Sequence, residues 1–298
     1  MCAIDNFTVV IPNPGIWDTS YSAFSMCNLE FTPFFKNGCF AYYKCEIKNL
    51  LLLIFREKIY LKNSIHKFTH GNNFSDFTLS EFIQSVEKIN EITMVLNLNW
   101  WESNVMKLEY GCNIINIGCD AIINGLIGYK GKHYFPMLFN GRQYGAFCEM
   151  NLFKLKCYNK TMEANIHYGI KLPYVVTRWE CVVKNMRYLH GRKNPIGIFK
   201  LKDLQSPQIM EALSNDLMSS FAISQKLPVT DFDGLSLTDI RIIACMKEPQ
   251  IRDIIKNRHK ETWKKDRKRY NEIVENSGEL YQEMERKLKD KCQELIYG

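Results

Sequence analysis

The chain has 298 residues, 46% hydrophobic and 24% charged, which excludes a disordered or fibrous protein and allows one large domain or two modest ones. Its 39 basic residues against 32 acids give a net charge of +7, mildly basic and far from a histone-like polycation. Eleven cysteines are scattered without a Cys-x-x-Cys pair, so they read as reduced thiols of a cytosolic protein rather than a disulfide framework. Met1 to Val10 lacks the basic start and apolar run of a signal peptide, and no stretch nears the roughly 18 consecutive apolar residues of a membrane span. A cytoplasmic location without membrane contact is expected.

In chain order, Cys2 to Ile11 is β-branched and apolar and is stopped by Pro12 and Pro14, an opening strand. Asp5 within it is expected at an edge or facing solvent, with a metal carboxylate as the sharper alternative. Strands are predicted over 39–46, 50–55 and 59–63. The stretch Lys62 to Asn73 carries His66 and His70 into Gly71-Asn72-Asn73, which reads as a strand leading into a turn. Thr78 and Glu81 fit a capping box opening a helix over 79–91, with Phe82, Val86 and Ile89 on one face. Strands follow at 93–98 and 105–110. Asp120 is expected to cap a helix carrying Ile122, Ile123, Leu126 and Ile127 to Gly128.

Residues 130–150 read as a hairpin. From Leu152 to Tyr158 the period is two, with Lys154, Lys156 and Tyr158 facing away from Phe153, Leu155 and Cys157; from Val175 to Val183, Arg178 and Glu180 oppose Trp179 and Cys181. Were these two strands to pair, Tyr158, Arg178 and Glu180 would line one cleft. A helix follows Asp203 through Met210, Leu213, Leu217 and Phe221. Pro228 and Asp231-Phe232-Asp233-Gly234 mark the domain boundary, dividing 1–230, whose β-β-α passages suggest two related halves, from a charged helical segment over 231–298. Nine basic residues against three acids between Arg252 and Arg269 give that stretch +6 of the net +7. Lys256, Arg258, Lys260, Lys264, Lys265, Arg267, Lys268 and Arg269 are its candidate nucleic-acid contacts, against the plainer reading of a solvated helix face. The expected fold class is α+β: a central, mainly antiparallel sheet with helices on one face, plus a basic helical C-terminal segment.

Glu109 ends an apolar strand, where an unpaired acid is costly. With Glu180 it gives two strand carboxylates of the kind a divalent ion needs, against the plainer possibility that Glu180 pairs with Arg178 or Lys184. Tyr158 lies between Lys156 and Lys160, cations that favour a phenolate.

Ser64-Ile65-His66-Lys67-Phe68 with Gly71 to Phe77, Leu108 to Ile114, Lys156-Cys157-Tyr158-Asn159-Lys160, Arg178-Trp179-Glu180-Cys181-Val182-Val183-Lys184 and Leu201 to Leu204 together resemble rolling-circle replication initiators of the phage and plasmid gene II/X type. The resemblance spans roughly residues 1–225 and rests on the order and spacing of segments that are weak singly. It implies a nicking and closing enzyme in which a tyrosine attacks an origin phosphodiester, forming a 5′-phosphotyrosyl link and a free 3′-hydroxyl. By that resemblance Tyr158 is the nucleophile, with Tyr168, Tyr174 and Tyr188 as competitors. Lys156, Lys160 and Arg178 hold the phosphate, and Glu109, Glu180 and His66 ligate Mg²⁺ or Mn²⁺. Origin DNA, single-stranded or supercoiled, is the expected partner, with a host helicase as a further candidate. The His-hydrophobic-His triplet of many nicking enzymes is absent. The rival reading is a non-catalytic DNA-binding replicon control or packaging protein.

Overall fold

The computed structural model describes residues 3–16, 20–191, 196–227, 235–276 and 278–298. Its first half runs β1 (Ala3–Pro12), β2 (Phe24–Met26), β3 (Leu29–Lys36), β4 (Cys39–Ile47), β5 (Leu50–Ile54) and β6 (Lys58–Ser64), then helices α1 (Ile65–His70) and α2 (Leu79–Ile92). The second runs β7 (Asn104–Ile115), α3 (Cys119–Gly125), β8 (Leu126–Tyr129), β9 (Lys132–His133), β10 (Phe135–Phe139), β11 (Arg142–Glu149), β12 (Phe153–Asn159), α4 (Lys160–Tyr168) and β13 (Val176–Val183). After it come α5 (Arg187–His190), α6 (Pro207–Ile223), β14 (Gln225–Lys226), α7 (Leu237–Lys247), α8 (Pro249–Arg258), α9 (Lys260–Asn276) and α10 (Glu279–Tyr297).

Eleven strands form one antiparallel sheet in the order β10-β11-β12-β13-β7-β1-β6-β5-β4-β3-β2. The long strands β1 and β7 lie side by side at its centre. Each is followed by a meander whose last strand returns to its outer side, β6 against β1 and β13 against β7, and then by helices. The α+β class is observed, and the Tyr158 and Arg178 strands, whose pairing the sequence left open, lie side by side.

One face of the sheet carries Phe7, Leu61, Cys112, Leu155 and Trp179, and on it pack Phe82 and Val86 of α2, Ile122 of α3 and Leu213, Leu217 and Phe221 of α6. Burying each such side chain is worth about 1.5–3 kcal/mol. The Trp179 indole N–H also donates to Leu217 O at 3.1 Å, which fixes α6 on the sheet. The capping box of α2 is present: the Thr78 N–H donates to Glu81 Oε2 at 2.7 Å, and the Glu81 N–H to Thr78 Oγ1 at 3.3 Å. Within the segment read as charged and helical, α10 places Tyr281, Met284, Leu288, Cys292 and Leu295 in this same core. Their three- and four-residue steps put them on one helix face. The turn Asp231 to Gly234 taken as the domain boundary lies outside the described residues.

Three local expectations fail for identifiable reasons. Lys62 to Asn73 is no strand and turn after Ser64: the Ser64 hydroxyl accepts the Lys67 N–H at 3.0 Å, capping α1, and Gly71 ends it at φ 74°. Residues 93–98 form a single 3₁₀ turn, because Asn97 adopts φ 52°. The helix predicted to Gly128 stops at Gly125, and Leu126–Tyr129 pairs with β14 and β9 instead.

Gly111 of β7 stands opposite Glu180, and a Cβ there would lie 2.6 Å from Trp179 O and 3.0 Å from Glu180 Cα. Gly111→Ala is therefore expected to destabilise the fold by about 1–3 kcal/mol in urea denaturation. Unchanged stability would mean that β7 and β13 are less tightly apposed.

Candidate active site

The face of the sheet opposite the helical core carries a buried polar cluster where β1, β7, β13 and β12 lie side by side. Cross-strand register builds it: Arg178 is opposite Asn113 on one side and Tyr158 on the other, while Glu180 is opposite Gly111 and Lys156. Asp5 reaches the same face because the pairing of β1 with β7 skips it, from Ile4↔Tyr110 to Asn6↔Glu109. This β-bulge switches the in-out alternation between Ile4 and Phe7 and turns an acid toward the cluster. Asp5 is thus buried on a central strand, not exposed or at an edge.

Arg178 is the hub, with no exposed surface. Its Nε donates to Glu180 Oε2 at 2.7 Å, Nη1 to Asn113 Oδ1 at 3.0 Å and Nη2 to Asp5 Oδ2 at 3.1 Å. Asp5 also accepts from Ser64 Oγ at 2.6 Å and Asn73 Nδ2 at 2.8 Å. The Tyr158 hydroxyl donates to Glu180 Oε2 at 3.1 Å, and Lys156 Nζ pairs with Glu180 Oε1 while standing 3.8 Å from Glu109 Oε1. Lys160 opens α4 with its Nζ 2.8 Å from Glu163 Oε2 and 5.6 Å from the Tyr158 ring centre. Gly145 makes room for Tyr158, since a Cβ there would lie 2.6 Å from the tyrosine Cβ.

The charges sort these groups by role. With Lys160 matched to Glu163, two cations, Arg178 and Lys156, serve three carboxylates. Burial pushes Glu180 and Asp5 up, but Lys156 and Arg178 together outweigh it at Glu180, as Arg178, the Ser64 hydroxyl and Lys160 together do at Asp5, and both end below the ordinary carboxylate value. Glu109 is the least supplied: burial and then Glu180 push it up to about 7 against Lys156. Burial, then Glu180, hold the Tyr158 phenol well above its usual value, so the resting site keeps its proton on the tyrosine. Burial and Arg178 lower Lys160, whereas burial at Lys156 is outweighed by Glu180 and Glu109, which take it up to about 12.

The expected metal set does not converge. Buried His66 Nε2 lies 3.1 Å from Ser75 Oγ, its ring is stacked 4.8 Å from Phe77, and burial lowers its pKa to about 3. Lys156 stands against both glutamates, and both Glu180 oxygens are held by Arg178, Tyr158 and Lys156. Among the described residues no three His, Cys, Asp or Glu side chains come together as a metal group. As packed, Glu109, Glu180 and His66 do not fit Mg²⁺ or Mn²⁺.

Sequence reasoning passed over Asn113, Asn73 and Ser64, polar residues that look like ordinary turn or strand residues until the network is assembled. The competing tyrosines lie apart from it. Tyr188 donates to Asp216 Oδ1 at 2.7 Å, and Tyr174 is exposed. Tyr168, 49% exposed, meets Lys67 Nζ with its hydroxyl.

The basic stretch is two helices, α8 and α9, divided at His259. Lys256, Arg258, Lys260, Lys264, Lys265, Arg267, Lys268 and Arg269 are all exposed. Two of them are engaged: Arg269 binds Asp239 at 2.7 and 2.9 Å, and Lys264 pairs with Glu261 at 2.8 Å. Arg252 is buried against His133 and leaves the surface. Lys256, Arg267, Lys130 and Arg252 line a cleft of about 360 Å³ beside Trp263. Among the described residues no helix is long and apolar enough to cross a membrane.

No family model matches the sequence, and no curated protein matches it. Among solved structures, the chain is similar to a rolling circle replication initiator protein from Geobacillus stearothermophilus, with a TM-score of 0.40 and 10% identity over 82% of this chain and 96% of that one. At that distance no residue here takes its role from the comparison.

Glu109 gives the cluster a pH signature. Its folded pKa of about 7 exceeds the unfolded value, so the folded state binds the extra proton and Glu109's contribution to stability falls as pH rises from about 4.5 to 7. His66, held at about 3, acts oppositely as pH falls below about 6.5. The difference between wild type and Glu109→Gln isolates the acid. The variant should gain relative stability, of the order of 2 kcal/mol, between pH 5 and 8 in urea titrations. A pH-independent difference would refute the assignment.

Proposed function

We propose that this chain is a DNA strand-nicking and closing protein of the replication-initiator kind, with Tyr158 as its nucleophile. The observation that carries the reading is the tyrosine hydroxyl donating to a glutamate that two cations hold ionised, Glu180 with Arg178 and Lys156. The resemblance of the Tyr158 and Arg178 segments to gene II/X-type initiators supplies the substrate class, origin DNA.

The resting network explains how a phosphodiester would start the reaction. Lys156 and Glu109 are the partly exposed members of the cluster, each side chain 23% exposed. A phosphate arriving there competes with Glu180 for the Lys156 ammonium. Losing that cation makes Glu180 a stronger base toward the phenol proton that it already accepts. The Tyr158 oxygen then forms a bond to phosphorus, the proton passes to Glu180, and the bond to the 3′ oxygen breaks. In this scheme Lys160, whose pKa is lowered, gives that oxygen its proton. The reverse sequence rejoins the strand, and the phosphotyrosyl bond conserves the energy.

The burial of Tyr158 favours a second reading, a DNA-binding protein in which the cluster is purely structural. Supercoiled replicon DNA separates the two, incubated with Mg²⁺, with Mn²⁺ or with chelator. The enzyme yields relaxed circles carrying covalent protein, and Tyr158→Phe should lower the yield at least a hundredfold while Tyr168→Phe leaves it unchanged. Intact circles under all three conditions would sink the enzyme reading.

We further propose that the exposed cations of α8 and α9 contact duplex phosphates. Affinity should fall steeply with salt, and Lys256→Gln and Arg267→Gln should each lower the slope of log affinity against log salt by about 1. An unchanged slope in both would remove these helices from the interface.

A further inference from the structure

The face of the sheet that bears the polar cluster continues, uncovered by the helical core, across the first half of the molecule. There it carries a row of aromatic rings. Phe34 of β3 stacks on Tyr42 of β4 with centres 4.7 Å apart and planes at 16°. Tyr42 meets Phe55, just beyond β5, at 4.8 Å, and Phe55 meets Tyr60 of β6 edge-on at 5.5 Å. Strand register places Phe34 opposite Tyr42 and Tyr60 opposite Leu53, on the side away from Tyr43, Ile54 and Ile59 of the core. Phe34 is 44% exposed and the other three rings are partly exposed. A cleft of about 870 Å³ opens beside Phe55 and Tyr60 and is lined by Phe35, Phe40, Arg56 and Lys58 among others.

Charge on this face is mostly positive toward the cluster. Lys58 and Lys62 flank Tyr60 on β6, and Lys62 pairs through Thr8 of β1 with Lys107 of β7, one residue pair from Glu109. Of the acids, Glu57 lines the cleft between Arg56 and Lys58, while Glu30 and Glu46 lie on the far strands and Glu46 is tied to Lys44 at 2.5 Å. Rings with accessible faces, spaced among lysines, are what unpaired bases and their phosphates recognise. From β3 to β13 the path crosses six strand spacings, about 29 Å, a span suited to a short run of nucleotides.

We propose that this row, Phe34, Tyr42, Phe55 and Tyr60 with Lys58, Lys62 and Lys107, is a stacking platform for single-stranded DNA leading toward Tyr158. The choice of DNA and the direction of the path rest on the nicking reading; the stacking chemistry does not. Cross-strand stabilisation of the sheet is the competing role for these rings, and it predicts no effect on binding.

The test uses the full chain and a fluorescein-labelled twelve-nucleotide oligothymidylate, read by anisotropy. Phe34→Ala and Tyr42→Ala should each weaken binding about tenfold, while Phe34→Trp keeps it. The matching duplex should bind equally well to all variants. Should an alanine variant unfold, bromodeoxyuridine cross-linking of the wild-type protein replaces it, with adducts expected in the peptides spanning Phe34 to Lys62. Unchanged affinity in folded alanine variants, cross-links confined to α8 and α9, or a preference for RNA of the same sequence would each overturn the proposal. Absent nicking by the wild-type protein, with oligonucleotide binding that still depends on Phe34 and Tyr42, would defeat only the enzymatic reading.

Discussion

A single buried guanidinium holds the two halves of the sheet to one geometry. Arg178 bridges the β13 carboxylate Glu180, the β7 amide Asn113 and the β1 carboxylate Asp5, and Asp5 passes the connection to Ser64 and Asn73 around α1. A fully buried cation is tolerable only when its partners are complete, and removing one partner of such a pair typically costs about 3–5 kcal/mol. The position of Tyr158 follows from this constraint, because its hydroxyl shares the Glu180 oxygen that Arg178 holds. So does the local backbone: the β1 bulge presents Asp5, and the missing Cβ atoms of Gly111 and Gly145 admit Glu180 and Tyr158.

The two faces of the sheet divide the work. Helices and apolar side chains bury one face and supply most of the stability, including α10, whose stripe returns the C-terminal segment to the main core. The other face is polar, closed over the buried ion cluster of β12, β13, β7 and β1 and open along the aromatic row of β3 to β6. A continuous antiparallel sheet makes this separation possible, since alternate residues of every strand reach opposite faces. In the proposed account the open face receives the nucleic acid and the cluster carries the chemistry.

Much of this was legible in the sequence, and the failures have physical causes. Period-two alternation placed Lys156, Tyr158, Arg178 and Glu180 on polar strand faces, and the pairing of β12 with β13 put them together. The capping box of α2 and the stripe of α6 were equally readable. Asp5 was misjudged because the partners that let an acid be buried on a central strand, Arg178, Ser64 and Asn73, lie far from it in sequence. Helix α1 was not foreseen, because the Ser64 hydroxyl that caps it sits on the last residue of a strand, and the apolar stripe of α10 was hidden among its charges. The other partners of the expected metal ligands were not legible either: the fold turns His66 toward Ser75 and gives Glu180 to Arg178 and Lys156.

The central claim, that Tyr158 is the group that joins DNA, is tested most directly by mapping the covalent adduct. The wild-type protein is trapped on a nicked origin oligonucleotide, digested with nuclease and protease, and sequenced by mass spectrometry. The account predicts a nucleotide mass on the peptide containing Tyr158. A modification on Tyr168, Tyr174 or Tyr188 with Tyr158 unmodified would contradict it.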